Sequence, residues 1–479
     1  MSRKPNILVL MADQMQGQVL RPGHPCQTPH LDRVVQRGVR MDHAYTPNPI
    51  CSPARASLMT GLLPHNHGVL WVTHNVDDDQ GCLREDKPHW AQRLVAAAYR
   101  TGYFGTWHVE RTEELQRFGW QTSATSHSDA FRQRLAEVRG ANPPKPVYHL
   151  RCDNDRPPGY PSTVHYAVVD TPTEQRPMAA TVDLAERFLR EAMDGDQPWC
   201  CFVSTEEPHD PFITSRQAFA RYDADALPAV PSWHDPLTDK PNLYRRQARL
   251  WAQRTDRQRR EAAACYYGSI TELDQQFGRL LQQVERAGQM HNTIVVVVSD
   301  HGELLGAHGL YCKNVSAFEE AYHIPLVMAG PGIARGQTSA ARVGSHQLGP
   351  TLLDLLGLDP IGAPDSRSFA PALLDPAAQD HRYTQGFAEY FGGRYMLTQR
   401  VTWDGPWKYV HNGFDFDELY NLEDDLHEMK NLAGEPAQQD RLIHMTGQMW
   451  QRVRETGDHS LLGSTYPPLR MAPVGPDAK

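Results

Sequence analysis

The sequence predicts an α/β protein: a sandwich with a large, mainly parallel central sheet flanked by helices, followed by a smaller C-terminal α+β domain with an antiparallel sheet. Three observations carry this. Continuous apolar runs at 6–11, 199–204, 293–299 and 325–329 are bounded by polar or turn residues, the pattern of strands buried on both faces. Between them lie long amphipathic stretches at 178–193 and about 258–287, which read as crossover helices. Asp13 and Asp300 each stand just past such a run. Ligands of open parallel sheets gather beyond the carboxyl ends of the strands, so two carboxylates are expected beside one crevice.

In chain order, the run at 6–11 opens the sheet and passes directly into Ala12-Asp13-Gln14. No small-residue cleavage site follows it, so it reads as a strand and not as a signal peptide. The stretch 143–177 is rich in Pro, Asp and Arg and reads as a long loop of the kind that often shapes a binding site. In the second long helix Ile270, Leu273, Phe277, Leu280, Leu281 and Val284 keep helical spacing. After about residue 370 the texture changes to short aromatic and β-branched segments at 383–389, 395–402 and 407–410, separated by Gly, Asn and Asp. These suggest a small antiparallel sheet, followed by a helix near 438–456 and a Pro-rich tail from 461. The expected division is a large α/β domain over 1–375 and a smaller domain over 376–479.

Composition excludes several classes of function. Hydrophobic content of 40% and charged content of 22% over 479 residues suit a globular chain with a large core. No run approaches the ~20 apolar residues of a membrane-spanning helix, so no membrane partner is expected. A net charge of −9 argues against nucleic acid, which requires a basic face. Eight cysteines at irregular spacings, with no Cys-x-x-Cys pair, suggest neither a disulfide framework nor a zinc cluster. With Met1 as the native start, the protein is expected in the cytoplasm; a chain that had lost a leader would read the same and would be periplasmic or secreted. The sequence leaves the oligomeric state open.

The chemistry concentrates in Cys51-Ser52-Pro53-Ala54-Arg55, which runs on through Ala56-Ser57-Leu58-Met59-Thr60-Gly61. A lone cysteine before a proline is ordinarily a small buried residue. A cysteine phosphatase loop would need five residues between Cys and Arg; here there are three, with Ser57 where that arginine should stand. Cys-x-Pro-x-Arg is instead the pattern read by formylglycine-generating enzymes, and the eleven-residue stretch resembles the signature of the type I sulfatases, in the alkaline-phosphatase-like superfamily.

That resemblance implies an alkaline-phosphatase-like sandwich and a sulfuric ester hydrolase. It implies conversion of Cys51 to formylglycine (3-oxoalanine), whose hydrate carries two hydroxyls: one attacks sulfur and the other releases the product. It also implies one divalent metal ion held by Asp13, Gln14, residue 51, Asp300 and His301. Oxygen donors favour Ca²⁺, with Mg²⁺ or Mn²⁺ as alternatives. Arg55, one helical turn after Cys51, is expected to neutralise the diol or an oxyanion. Lys313 matches the lysine that contacts the transferred group. His209, in Glu207-Pro208-His209-Asp210-Pro211-Phe212, matches the histidine near the leaving group, and His108 would be the acid/base that collapses the diol. Glu418-Leu419-Tyr420-Asn421-Leu422 resembles the family's C-terminal Glu-Leu-Tyr-Asp-Leu segment.

Two positions depart from the usual pattern. Gln14 stands where most members have a second Asp, and Thr106, before Trp107-His108, replaces a lysine that normally bridges formylglycine and sulfate. A Gln at this place is also found in phosphonate monoester hydrolases and choline-sulfatase-like branches, and phosphonate and phosphodiester hydrolases lack the lysine. Thr106, His67, His74 and Asn75 are candidate substrate-binding residues. Three readings follow: a sulfate monoester hydrolase on a small-molecule or carbohydrate ester, a phosphonate monoester or phosphodiester hydrolase on the same scaffold, and a non-catalytic binder of sulfated ligands, which ranks last because so many catalytic positions survive.

Overall fold

The computed structural model describes residues 4–476 apart from 78–80, 85, 141–144, 155–161, 314, 394–396 and 464–471. Its centre is an eight-stranded sheet in the spatial order Gln337–Gly344, Val39–Tyr45, Leu326–Ala329, Thr293–Ser299, Asn6–Ala12, Trp199–Ser204, Arg100–Gly105 and Thr122–Thr125. The three middle strands of this order, Thr293–Ser299, Asn6–Ala12 and Trp199–Ser204, are buried at every position. Side chains alternate across a strand, and the first strand shows what that does. Leu8, Leu10 and Ala12 pack with Ile270, Leu273, Phe277 and Leu280 of the helix Asp256–Arg286. Ile7, Val9 and Met11 enter a second core with Met59, Trp90, Leu94 and Leu352 on the opposite face. Helices therefore cover both faces, which is why this strand reads as an unbroken apolar run.

The sheet is mainly parallel as expected, with one strand reversed, while the reading of 143–177 is corrected. Leu326–Ala329 runs antiparallel to both of its neighbours, within an otherwise parallel sheet. Burial on both faces makes a run apolar whichever way the strand points, so sequence pattern could not reveal the direction. The stretch 143–177 is not one long loop: Tyr148–Asn154 and Thr163–Val169 pair antiparallel, and the second strand runs parallel to Phe212–Ser215. Alternation in Val164, Tyr166 and Val168 was masked by the surrounding Pro and Asp.

Near the C-terminus, Gln385–Tyr390, Gln399–Asp404, Trp407–Asn412 and Glu418–Asn421 form a four-stranded antiparallel sheet. One face packs Tyr409 and Leu419 against Met445, Met449, Trp450 and Val453 of the helix Gln439–Thr456. The other packs Ala388, Val401, Trp403 and Val410 against Tyr45, Phe318 and Tyr322 beside the large sheet. Glu319 ties the two together, accepting from Tyr45 Oη (2.7 Å), Trp403 Nε1 (2.8 Å) and Lys408 Nζ (2.9 Å). Lys408 also pairs with Glu428. Among the described residues no helix is long and apolar enough to cross a membrane.

Candidate active site

Sheet register assembles the site. Asn6–Ala12 and Thr293–Ser299 pair in parallel with Ala12 opposite Ser299, so Asp13 and Asp300 leave the same edge side by side. Gly105 is opposite Ser204 in a neighbouring pair, which brings the segment starting at Thr106 to that edge. Cys51 begins the helix Cys51–Thr60, whose ten residues are all buried. Pro53 sits in its first turn, where a missing N–H costs nothing. Gly61 ends it with φ of 76°, its N–H donating to the Ser57 carbonyl at 2.9 Å. A left-handed cap of this kind favours glycine, and a Cβ there would lie 2.8 Å from Ala363 Cβ.

At the mouth of this helix Cys51 Sγ lies 3.1 Å from His301 Nε2 and 3.8 Å from Asp13 Oδ1. His301 Nε2 is 3.4 Å from Asp13 Oδ1 and 3.8 Å from Asp300 Oδ1. Its Nδ1 faces the Gly302 carbonyl at 2.9 Å. That bond places the proton on Nδ1 and leaves the Nε2 lone pair toward the cluster, as a metal ligand requires. One ligand atom from each of Asp13, Cys51, Asp300 and His301 falls within 4.8 Å of all the others. Two carboxylates and one imidazole lone pair, gathered around the Cys51 side chain, form a donor set that fits a divalent ion. Asp13 is held below the usual carboxylate range: burial opposes ionisation, but His209, Arg55, His301 and Lys313 outweigh it.

The Gln14 carboxamide, expected among the metal ligands, is engaged by three side chains beside this cluster. Its Nε2 donates to Asp210 Oδ1 (3.0 Å) and to Glu303, and its Oε1 accepts from Lys313 Nζ. Its backbone N–H engages the cluster, donating to Asp300 Oδ1 at 3.1 Å. A neutral amide can donate to two acids and accept from a lysine at once; the aspartate usual at this place could not donate to either carboxylate.

Arg55 is held from four sides. Nε binds Asp300 Oδ2 (2.8 Å), Nη2 binds Asp13 Oδ2 (3.0 Å), and Nη1 donates to the Thr106 carbonyl (2.7 Å) and Ser204 Oγ (2.8 Å). Its guanidinium is fully buried, and four of its five N–H donors are committed to these partners, so it fixes the two carboxylates.

On the open side, Lys313 Nζ meets His209 Nε2, and His209 Nδ1 donates to the Asp210 carbonyl at 2.6 Å. Burial and Lys313 oppose protonation of His209, while Asp210, Asp13 and Cys51 favour it and raise its pKa to about 9. His108 is half-buried, and its Nε2 lies 3.1 Å from Nδ1 of the exposed His74, the two rings stacked at 5.2 Å. Burial and then Arg55 lower the His108 pKa to about 3. Thr106 is half-buried, with Oγ1 3.3 Å from Ser126 Oγ, and Asn75 is exposed beside His74. His67 is not a substrate residue. It is fully buried behind the Cys51 helix, with Nε2 at 2.9 Å from Ser57 Oγ and Nδ1 accepting the Val69 N–H at 3.1 Å. Proximity to the motif in sequence could not tell which face of the helix it would meet. Asp210 and Glu303 were not singled out as site residues, although each adjoins one that was. Glu303 is buried and pushed up to about pKa 7 by burial and then by Asp210.

A sulfatase family profile matches residues 5–358, nearly the whole span that builds this site. The chain belongs to the sulfatase family. A second profile, N-sulphoglucosamine sulphohydrolase C-terminal, matches residues 306–455 of this sulfatase. Its relatives include a choline-sulfatase of Rhizobium meliloti (strain 1021), 27% identical over 90% of this chain and 83% of that protein. Among solved structures, a phosphonate monoester hydrolase of Agrobacterium radiobacter superposes with a TM-score of 0.79 at 23% identity, covering 95% of this chain and 96% of the other. A structure holding D-glucosamine-2-N,6-O-disulfate as substrate superposes with a TM-score of 0.74 at 20% identity, covering 95% and 99%. This sulfatase thus shares the alkaline-phosphatase-like fold with both sulfate and phosphonate hydrolases, and it is a sulfuric ester hydrolase by family.

Proposed function

We propose that the protein hydrolyses a sulfate monoester of a small molecule or carbohydrate, with residue 51 as nucleophile, releasing sulfate and an alcohol. The observation that carries this is the position of Cys51, buried at the first residue of its helix, 3.1 Å from His301 and 3.8 Å from Asp13. Conversion to formylglycine by a maturing enzyme would supply a geminal diol, and a divalent ion, with Ca²⁺ first and Mg²⁺ or Mn²⁺ as alternatives, would favour its ionised form. Asp13, Asp300 and His301 would hold that ion. Arg55 keeps the carboxylates aligned, since it bonds both and is itself immobile. Lys313 and His209 would take up charge on the departing oxygen, with one of them assisting its protonation. His108, kept neutral by its surroundings, would accept the proton of the second hydroxyl, allowing the sulfated adduct to collapse to aldehyde and sulfate. His74 and Asn75 lie at the exposed rim, where the alcohol portion of a substrate would pass.

A second reading, hydrolysis of a phosphonate monoester or phosphodiester, is favoured by Thr106 in place of lysine and by Gln14. Initial rates on nitrophenyl sulfate, nitrophenyl phenylphosphonate and bis-nitrophenyl phosphate separate the two, once mass spectrometry has established the state of residue 51. A higher kcat/KM for the sulfate ester supports the first reading; dominance of either phosphorus substrate replaces it with the second.

A further inference from the structure

A cavity of about 450 Å³ opens at the end of the large sheet remote from Asp13 and Asp300. Thr293 and Val295 line it, while Asp300 follows the other end of the same strand, about 20 Å away at the rise of an extended chain. The volume lies in the range of small-molecule sites. Its walls come from the helix Pro29–Arg37, the helix Asp256–Arg286, and the turn after Leu326–Ala329. The first two walls are fitted closely. A Cβ on Gly278 would lie 2.5 Å from the His30 ring, so glycine at that position of the long helix is what admits His30.

The lining divides into two kinds of surface. Val34, Leu281, Val295, Ala329 and Ile333 are apolar, and all but Ala329 (6%) are 5% exposed or less. Around them stand Arg33, Arg37 and Arg335, with His30 and His291 between. The single acid in the lining is Glu285, which Arg37 already occupies at 3.0 Å. The one side-chain hydrogen bond of Arg33 goes to His30 Nδ1 at 2.9 Å, and that of His30 is thereby used as an acceptor. Arg335 is exposed and forms no side-chain hydrogen bond or ion pair among the described residues. Two guanidinium charges thus face a hydrophobic hollow without a carboxylate within ion-pair distance among the described residues, Arg33 feeling Glu285 and Asp274 only at longer range, on a protein whose net charge is −9. A surface selected only for solubility has no need of such a pairing, whereas arginines over an apolar floor match an oxyanion attached to an apolar body.

We infer that this cavity is a second ligand site, distinct from the sulfate-ester site, for a small organic anion: a carboxylate, sulfonate or phosphate carried on an aryl or short alkyl group. The oxyanion sits between Arg33 and Arg335, and the apolar body fills the hollow over Val295 and Ile333.

Calorimetric titration of the full chain with naphthalene-2-sulfonate, which carries no ester to hydrolyse, tests this. The wild type is expected to bind it saturably, and the double substitution Arg33→Ala with Arg335→Ala to weaken that binding at least about tenfold, or ~1.4 kcal/mol. The same double variant retains wild-type turnover of nitrophenyl sulfate without the probe, which also reports that it is folded. Inorganic sulfate, lacking the apolar body, and 2-naphthyl methyl sulfone, lacking the charge, each bind at least about tenfold more weakly than the sulfonate. Absence of saturable binding to the wild type overturns the assignment. So does equal affinity in the double variant, which would place the probe elsewhere, or equal affinity for the neutral sulfone.

Discussion

Arg55 Nε lies 2.8 Å from Asp300 Oδ2, with both side chains completely removed from solvent. The same guanidinium reaches Asp13, so one cation neutralises part of a buried pair of carboxylates at the centre of the site. Replacing it by alanine leaves those charges uncompensated, and breaking a buried pair in this way costs about 3–5 kcal/mol. Arg55→Ala is expected to lower the Tm of chelator-treated protein sharply. Arg55→Lys should recover only part of the loss, because one ammonium cannot span four acceptors in the plane of a guanidinium. Equal Tm values for wild type and Arg55→Ala would contradict this account.

Divalent ions should stabilise the folded protein through Asp13, Asp300 and His301. Binding to the native state alone contributes RT ln(1 + [L]/Kd), about 2.7 kcal/mol at a hundredfold excess over Kd. Thermal melts in rising Ca²⁺ are therefore expected to climb and saturate, and Asp300→Asn to abolish most of the rise. A flat response to Ca²⁺, Mg²⁺ and Mn²⁺ alike would remove the metal from the proposal.

Cys51→Ser retains a single hydroxyl. The first displacement can still occur, but the adduct has no second hydroxyl from which to expel sulfate. Intact-protein mass spectrometry after incubation with substrate is expected to show either a stable mass increase of one sulfuryl group or no turnover at all; multiple turnovers by this variant would exclude a diol mechanism.

His74 holds His108 through the 3.1 Å contact between their ring nitrogens. His74→Phe preserves a stacked ring while removing the polar atom, and should reduce kcat on the order of tenfold with a smaller change in KM, less than the ~10²–10⁴-fold of a group that itself transfers the proton. A change confined to KM would instead make His74 a substrate contact alone.

His65 gives a pH dependence outside the site. Its Nδ1 lies 2.6 Å from Glu389 Oε1 and its Nε2 3.0 Å from the Thr456 carbonyl, so both nitrogens face acceptors. Burial lowers its pKa, but these partners outweigh burial and raise it to about 9. A group raised above its unfolded value of about 6.5 contributes stability that is complete below that value and is lost as pH climbs through the folded pKa. The Tm difference between wild type and His65→Gln should therefore be largest near pH 6 and shrink steadily toward pH 10. The contribution is on the order of 3 kcal/mol at its maximum. A difference that stays constant over this range would show that His65 acts while neutral.

How much of this was legible depended on which physical effect wrote each residue. Strands such as Thr293–Ser299 were readable because two covered faces demand an apolar residue at every position. The site carboxylates Asp13 and Asp300 were readable because they sit where such runs stop. What pattern could not encode was orientation. The direction of Leu326–Ala329, the burial of His67 and the turning of Gln14 toward Lys313 all depend on which neighbour lies across space, and none leaves a periodic trace in the chain. Arg55 shows the same limit in a subtler form: spacing placed it one turn from Cys51, but only the assembled sheet edge could show that four acceptors would claim it.

The sealing of Cys51, a residue only 4% exposed, would set a timetable for making the active enzyme. On the proposed reading, an oxidising enzyme must meet this thiol while residues 51–61 are still an extended chain, because the finished helix presents no accessible peptide to grip. Maturation and folding then compete for the same interval after synthesis. Slow translation or delayed docking of the C-terminal sheet would then raise the active fraction, and rapid overproduction would yield folded molecules with Cys51 unconverted.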